Sequence, residues 1–204
     1  MSNADAVLFH GSNLCVTEPN LRYSRKCLDF GSGFYTTNIL NQARNWAISV
    51  ANERGGTPYV TSYLFKRNNL NGKSFRGVSK EWAWCIVAYR MAARTCSPKM
   101  AEIFKKRRDF FSVYDYIEGE VADDDVFDSV ERFCSFLSLC KTEKDLEMSL
   151  GILVNDIKSK GKNHQLCLKT RKAIDALEHV KAGDVDVQNT ERGNPKNSER
   201  TGGA

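Results

Sequence analysis

The chain has 204 residues, a mass of 23.0 kDa and a formal net charge of +5 from 30 basic and 25 acidic residues. That length suits one domain, alone or with a tail. A composition of 41% apolar and 27% charged residues is that of a soluble globule. No run of about 18 uncharged apolar residues exists to span a membrane. The opening residues lack the basic-then-apolar order of a secretory signal, so the expected location is cytoplasmic. The mild positive charge permits nucleic-acid or nucleotide contact without requiring it. The seven cysteines are odd in number and never form a CxxC pair, so reduced, partly buried thiols are expected. The three histidines fall outside helix-face ligand spacing, so no metal site is expected.

In chain order, Ala6–His10 reads as an opening strand. Ile39–Asn52 has helical periodicity, with Ile39, Leu40, Ala43, Trp46, Ala47 and Val50 on one face and Thr37 or Asn38 as cap. Tyr59–Phe65 is rich in β-branched and aromatic residues and reads as a second strand. Ser79–Arg94 predicts a helix that buries Trp82, Cys85, Ile86, Tyr89 and Ala93. Lys99–Asp109 carries five basic residues; it is either a solvated helix face or a contact for nucleic acid or an acidic protein. Val113–Ile117 reads as a third strand. A helix is expected after Asp123–Asp125, whose charges suit a helix N-terminus. Another is expected from Thr142 to just before Gly161, burying Leu146, Leu150, Leu153, Val154 and Ile157. Gln165–Lys169 is a fourth strand. From Lys181 to Ala204 the chain is polar and Gly/Asn-rich, and a disordered tail is expected there, leaving residues 1–180 for the fold. Strands and helices alternate without a strand, Gly-rich loop and helix unit of the dinucleotide-binding kind. The fold class is therefore α+β with a mixed or antiparallel sheet.

Two short segments carry chemistry. In Asp29–Thr37, Gly31 and Gly33 allow a sharp turn and close approach to a ligand; Phe34 and Tyr35 offer ring faces, and Thr36 and Thr37 offer hydroxyls. A plain turn into a capped helix accounts for the same residues. In Leu8–Ser12, His10 closes an apolar strand and is followed by Gly11 and Ser12. That is either a hydrogen-bonded edge histidine or an imidazole that orients a ribose beside a bare backbone able to bond an amide. Glu118 and Glu120 flank Gly119 and are either solvated acids or a source of a working carboxylate.

Together, His10-Gly11-Ser12 and Gly33-Phe34-Tyr35-Thr36-Thr37 resemble the NAD-binding core of ADP-ribosyltransferases, in the branch with a His–Tyr–acid signature. Further stretches are similar to an uncharacterised bacterial family predicted to share that fold. They are Phe9–Asn13, Asp29–Thr37, Gln42-Ala43 with Trp46-Ala47, Glu81-Trp82 with Tyr89-Arg90, Tyr114-Asp115, the Gly119–Asp124 region and His164-Gln165. In order, and with the helix that follows, they span Phe9 to Leu177.

The resemblance implies an ADP-ribosyltransferase-like split sheet with flanking helices and NAD as the bound substrate. His10 would bond the adenosine-side ribose, Gly11 the nicotinamide amide through its backbone, and Tyr35 would stack on the nicotinamide ring. Ser12, Gly33, Phe34 and Thr36 complete the implied NAD contacts. The third position, usually a glutamate that bonds the nicotinamide ribose, is Gln165 here. An amide orients a hydroxyl but carries no charge and cannot act as a base. Transfer of ADP-ribose to a protein or nucleic-acid acceptor is the implied activity, as in bacterial toxins or effectors, with a cognate antitoxin or immunity protein as an expected partner. A non-catalytic NAD- or partner-binding module on the same fold is the alternative. A related phosphotransferase acting on RNA ends would need several convergent arginines.

Overall fold

The protein is described by a computed structural model covering residues 4–91, 97–121, 129, 133, 140, 142–156 and 163–185. Within these residues the fold is α+β, with two sheets and five α-helices. The first sheet has the order β1-β3-β7, formed by β1 (Ala6–Ser12), β3 (Tyr59–Phe65) and β7 (Leu177–Asp184), all antiparallel. The second has the order β2-β6-β5-β4, formed by β2 (Phe34–Thr36), β6 (His164–Leu168), β5 (Tyr116–Glu120) and β4 (Gly72–Ser74). Only the β4–β5 pair is parallel. A single bridge, Phe9 to Thr37, joins the two sheets through β1 and the end of β2.

Alternation along the strands divides the core in two. Leu166 and Leu168 of β6 join Leu8, Phe34, Tyr63, Phe65 and Tyr116 between the sheets. Cys167, between them in sequence, turns the other way and packs with Phe30, Ile117 and the helices α2 (Lys80–Arg90), α3 (Pro98–Ser112) and α4 (Glu143–Asp156). All of α2 from Trp82 to Ala88 is buried, as expected for a helix packed on several sides. Its N-cap is Ser79, whose Oγ accepts from Trp82 N, while Ser97 and Pro98 start α3. Thr170 caps the short α5 (Arg171–Asp175) and also donates to Asp115 Oδ1 at 2.7 Å.

The helix α1 (Leu40–Arg54) buries part of its expected face. Ala43, Ala47, Val50 and Ala51 are buried, whereas Leu40 and Trp46 are exposed. Small residues make the contact because Gly11 lets the helix backbone lie directly on β1. Ile39 occupies the N-cap position, but Thr37 still serves the entry, accepting from Ile39 N and donating to Gln42 Oε1. The third strand lies at Tyr116–Glu120, three residues beyond its expected start. The strand β7 carries the chain to Asp184, with Val185 buried after it, so the segment expected to be tail from Lys181 begins inside a sheet. Residues 186–204, Ala93 and most of the helix expected after Asp123–Asp125 lie outside the described residues. Cys15, Cys27, Cys85, Cys140 and Cys167 are free thiols, as expected, with Cys85 and Cys167 buried. Among the described residues no helix is long and apolar enough to cross a membrane, and no cluster of His, Cys, Asp and Glu has metal-site geometry.

The basic run forms part of α3 and is largely ion-paired. Lys105 meets Asp109, Lys106 meets Glu102, and Arg107 reaches Glu143 and Glu147. Arg108 donates to Ala88 O. These partners favour the solvated-face reading.

Candidate functional site

The site is built where the two sheets part. Phe9 and Thr37 exchange both main-chain bonds, Phe9 N to Thr37 O at 2.7 Å and Thr37 N to Phe9 O at 2.9 Å. In a continuous antiparallel ladder the next such pair, two residues on, would be Gly11 with Tyr35. It does not form. The Tyr35 carbonyl instead accepts from His10 Nδ1 at 2.8 Å. A carbonyl only accepts, so the proton sits on Nδ1. Burial lowers the His10 pKa from its usual value of 6.5, against the opposing effect of the Tyr35 bond. The imidazole is therefore neutral at pH 7, with a lone pair on Nε2. Its ring packs on Phe34 at 4.4 Å. Among the described residues no hydrogen bond engages Nε2, and none crosses the parted edge to the N–H or C=O of Gly11. A donor and two acceptors thus converge at the split.

The side chain of Tyr35 points to the other face of β2, away from Phe34 and Thr36. Its hydroxyl donates to Gly31 O at 2.6 Å and accepts from Phe30 N at 3.1 Å. Burial, and then the neighbouring Cys167, raise the phenol pKa well above 10, so the donor is retained. Lys169 Nζ adds a bond to Phe30 O at 2.5 Å while lying over the Tyr89 ring. These bonds fix the Phe30–Gly33 turn. Gly31 has φ +83°, and a Cβ there would lie 2.6 Å from the Tyr89 ring; its freedom serves this turn and its packing. Tyr35→Phe should therefore lower stability by about 1–2 kcal/mol in urea unfolding, since a part-buried carbonyl and amide lose their partner.

The remaining implied contacts are placed as follows. Ser12 ends β1 opposite Tyr59. Gly33 lies tight against Cys167 and Leu168. Thr36 is buried, with its hydroxyl donating to Leu166 O at 3.3 Å. Gln165 lies on β6 two residues from Cys167, which pairs with Tyr35, so Gln165 and Tyr35 share a face. Gln165 Nε2 donates to Asp29 Oδ2 at 2.6 Å. Asp29 is 5% exposed and meets Arg90 of α2, Oδ1 lying 2.5 Å from Nη2 and 2.7 Å from Nε. Sequence reasoning took Asp29 as the start of a glycine-containing segment and passed over its carboxylate.

Glu118 does not join this group. It pairs in register with Leu166, while Gly119 pairs with Gln165, so Glu118 and Gln165 face opposite sides of the sheet. Both Glu118 oxygens are held by Arg67 at 2.8 Å, and Ser74 donates to Oε1. This ion pair helps line a cavity of about 660 Å³ with Ser74, Arg76 and Tyr116. None of the NAD contacts expected from the sequence lines it. Three arginines are engaged elsewhere than at His10: Arg67 holds Glu118, Arg90 holds Asp29 and Arg107 lies over Trp84.

Residues 6–179 match the model of the family described as Protein of unknown function (DUF3990). The chain belongs to this family. The match runs from the first residue of β1 into β7, so it takes in both sheets, the parted edge and the Asp29–Gln165–Arg90 group. No curated protein and no solved structure matches the chain.

Proposed function

We propose that this chain binds NAD at the parted edge of β1 and β2 and transfers ADP-ribose to a macromolecular acceptor. The observation that carries the reading is the exchange of partners at Tyr35. Because His10 takes the Tyr35 carbonyl, no described residue bonds the Gly11 N–H or C=O across the parted edge, and together they are the complement of a carboxamide. The same bond fixes the His10 tautomer, so that Nε2 can accept from a ribose hydroxyl. The two-sheet arrangement, joined at one bridge and packed on helices, supports an ADP-ribosyltransferase-like fold. Bonding both ends of the dinucleotide would hold it bent, and positioning of that kind lowers the barrier to breaking the glycosidic bond. The acceptor is a protein side chain or a nucleic acid, and a toxin or effector role with a cognate immunity partner fits such chemistry.

A second reading, an NAD-binding module without turnover, is favoured by one feature. The third position is an amide whose N–H already serves Asp29, and an amide opposes positive charge on a sugar less than a carboxylate does.

Calorimetric titration with NAD, with chromatography of released nicotinamide, tests both. Wild type should bind, and His10→Ala should bind at least about tenfold more weakly, a loss of about 1.4 kcal/mol. Affinity should also fall as pH drops through the His10 value, below 6.5, because protonated Nε2 cannot accept. Binding without nicotinamide release selects the module. No binding by wild type overturns both readings.

A further inference from the structure

The position expected to hold an acid carries Gln165, yet a carboxylate lies one hydrogen bond behind it. Asp29 is buried between two donors, Gln165 Nε2 at 2.6 Å and the Arg90 guanidinium at 2.5 Å. The O and N atoms of a glutamine amide are assigned by their partners. Here the assignment is forced, because a carboxylate facing a guanidinium can only accept. Gln165 must therefore turn its N–H to Asp29, which leaves Oε1 as the outward atom. Among the described residues no hydrogen bond engages that oxygen.

We infer that Asp29 is a positioning residue of this site, holding Gln165 so that its carbonyl oxygen faces outward to accept a hydroxyl of the bound ribose. This inference rests on the NAD reading for its ligand. The surroundings make Asp29 a fixed point. It immediately precedes Phe30 and Gly31, whose main chain is bonded by Tyr35 and Lys169. Arg90 approaches from a helix buried along most of its length. The amide thus presents the same kind of acceptor to a ligand as a carboxylate would, with the charge moved one side chain back and already paired.

This arrangement predicts a swap. In Asp29→Asn, the one side-chain oxygen left at that position should be claimed by Arg90, since a bond to a charged donor is the stronger one. The introduced amide N–H then faces Gln165, which must flip and turn its own N–H outward. In Gln165→Glu, two carboxylates face each other. In the double variant, the introduced amide donates to the introduced carboxylate, and an acceptor faces outward again.

The test is NAD titration calorimetry and thermal unfolding of wild type, both single variants and the double variant. Asp29→Asn should weaken NAD binding about tenfold, and the double variant should recover most of that loss. Equal NAD affinity for wild type and folded Asp29→Asn overturns the inference, as does a double variant no better than Asp29→Asn. The melting temperatures read the pairing without ligand. Recovery in the double variant supports the assigned orientation, and additive losses overturn it. Failure of wild type to bind NAD sinks the NAD reading, and with it the ribose as the group that Gln165 meets.

Discussion

Gly11→Ala should destabilise the fold by about 3 kcal/mol, at the upper end of what overpacking costs. A Cβ at Gly11 would lie 2.0 Å from Ala43 O and 3.0 Å from Ala47 N. Both are main-chain atoms of α1, so no side chain can rotate aside, and the whole helix must lift from β1. The lift would also loosen Ala43 and Ala47, which are fully or almost fully buried. Urea unfolding followed by far-ultraviolet circular dichroism measures the loss. A loss below about 1 kcal/mol, the lower end of the overpacking range, would mean that α1 is free to slide, and that close backbone packing does not explain the glycine. The outcome bears on how Gly11 is understood. The resemblance explains this glycine by a ligand amide, and the structure supplies a second reason, the close approach of α1 to the face of the strand. Loss of NAD binding in Gly11→Ala therefore cannot be credited to lost ligand contacts until its stability has been measured.

The sequence could be read wherever the deciding contacts were local or periodic. Tyr59–Phe65 turns Thr61, Tyr63 and Phe65 to one buried side, and its β-branched and aromatic content marks it as a strand. The strands β2 and β4 have three residues each, too short for any period to register. The strand β7 lies at the edge of its sheet, and from Glu178 to Lys181 it is exposed, so its composition is that of a polar loop. On α1 the expected face held Ala43, Ala47 and Val50, which are buried, but also Leu40 and Trp46, which are exposed. The actual face follows alanines whose value depends on Gly11, a residue of β1 far back along the chain. At the site, His10 and Tyr35 were recognisable from their motifs. Their true contact, ring nitrogen to main-chain carbonyl, leaves no mark in side-chain identity. Asp29 was missed for a similar reason: Arg90 lies 61 residues from it and Gln165 lies 136. Only the folded chain brings the three together.

Glu118 shows the same dependence on a distant partner, and its removal should be costly. Glu118→Ala should destabilise the protein by about 3 kcal/mol, because it leaves Arg67 largely buried with its charge uncompensated. The Arg67 and Glu118 side chains are 14% and 13% exposed. The guanidinium also bonds Tyr116 OH at 3.2 Å and lies over the Phe65 and Tyr116 rings, so it cannot swing out to water without breaking the inter-sheet packing. Replacing both partners, as in Arg67→Met with Glu118→Leu, should cost much less than Glu118→Ala alone, since no charge is stranded. Acid should act in the same direction as the single variant. Burial pushes the Glu118 pKa up, but the bonds from Arg67 and Ser74 and the Arg67 charge outweigh it and leave the value below 4.5. A carboxyl with a depressed folded pKa contributes stability that is present above the unfolded value and lost as pH falls through the folded one. Urea midpoints should therefore fall below about pH 4.5 in wild type, and less steeply in the double variant. Denaturation of all three proteins from neutral pH down through the carboxylate range measures both effects. If Glu118→Ala instead keeps its stability but abolishes nicotinamide release, the ion pair is dispensable to the fold. The working carboxylate would then lie on the cavity side of the sheet, and the site built around Gln165 would be displaced.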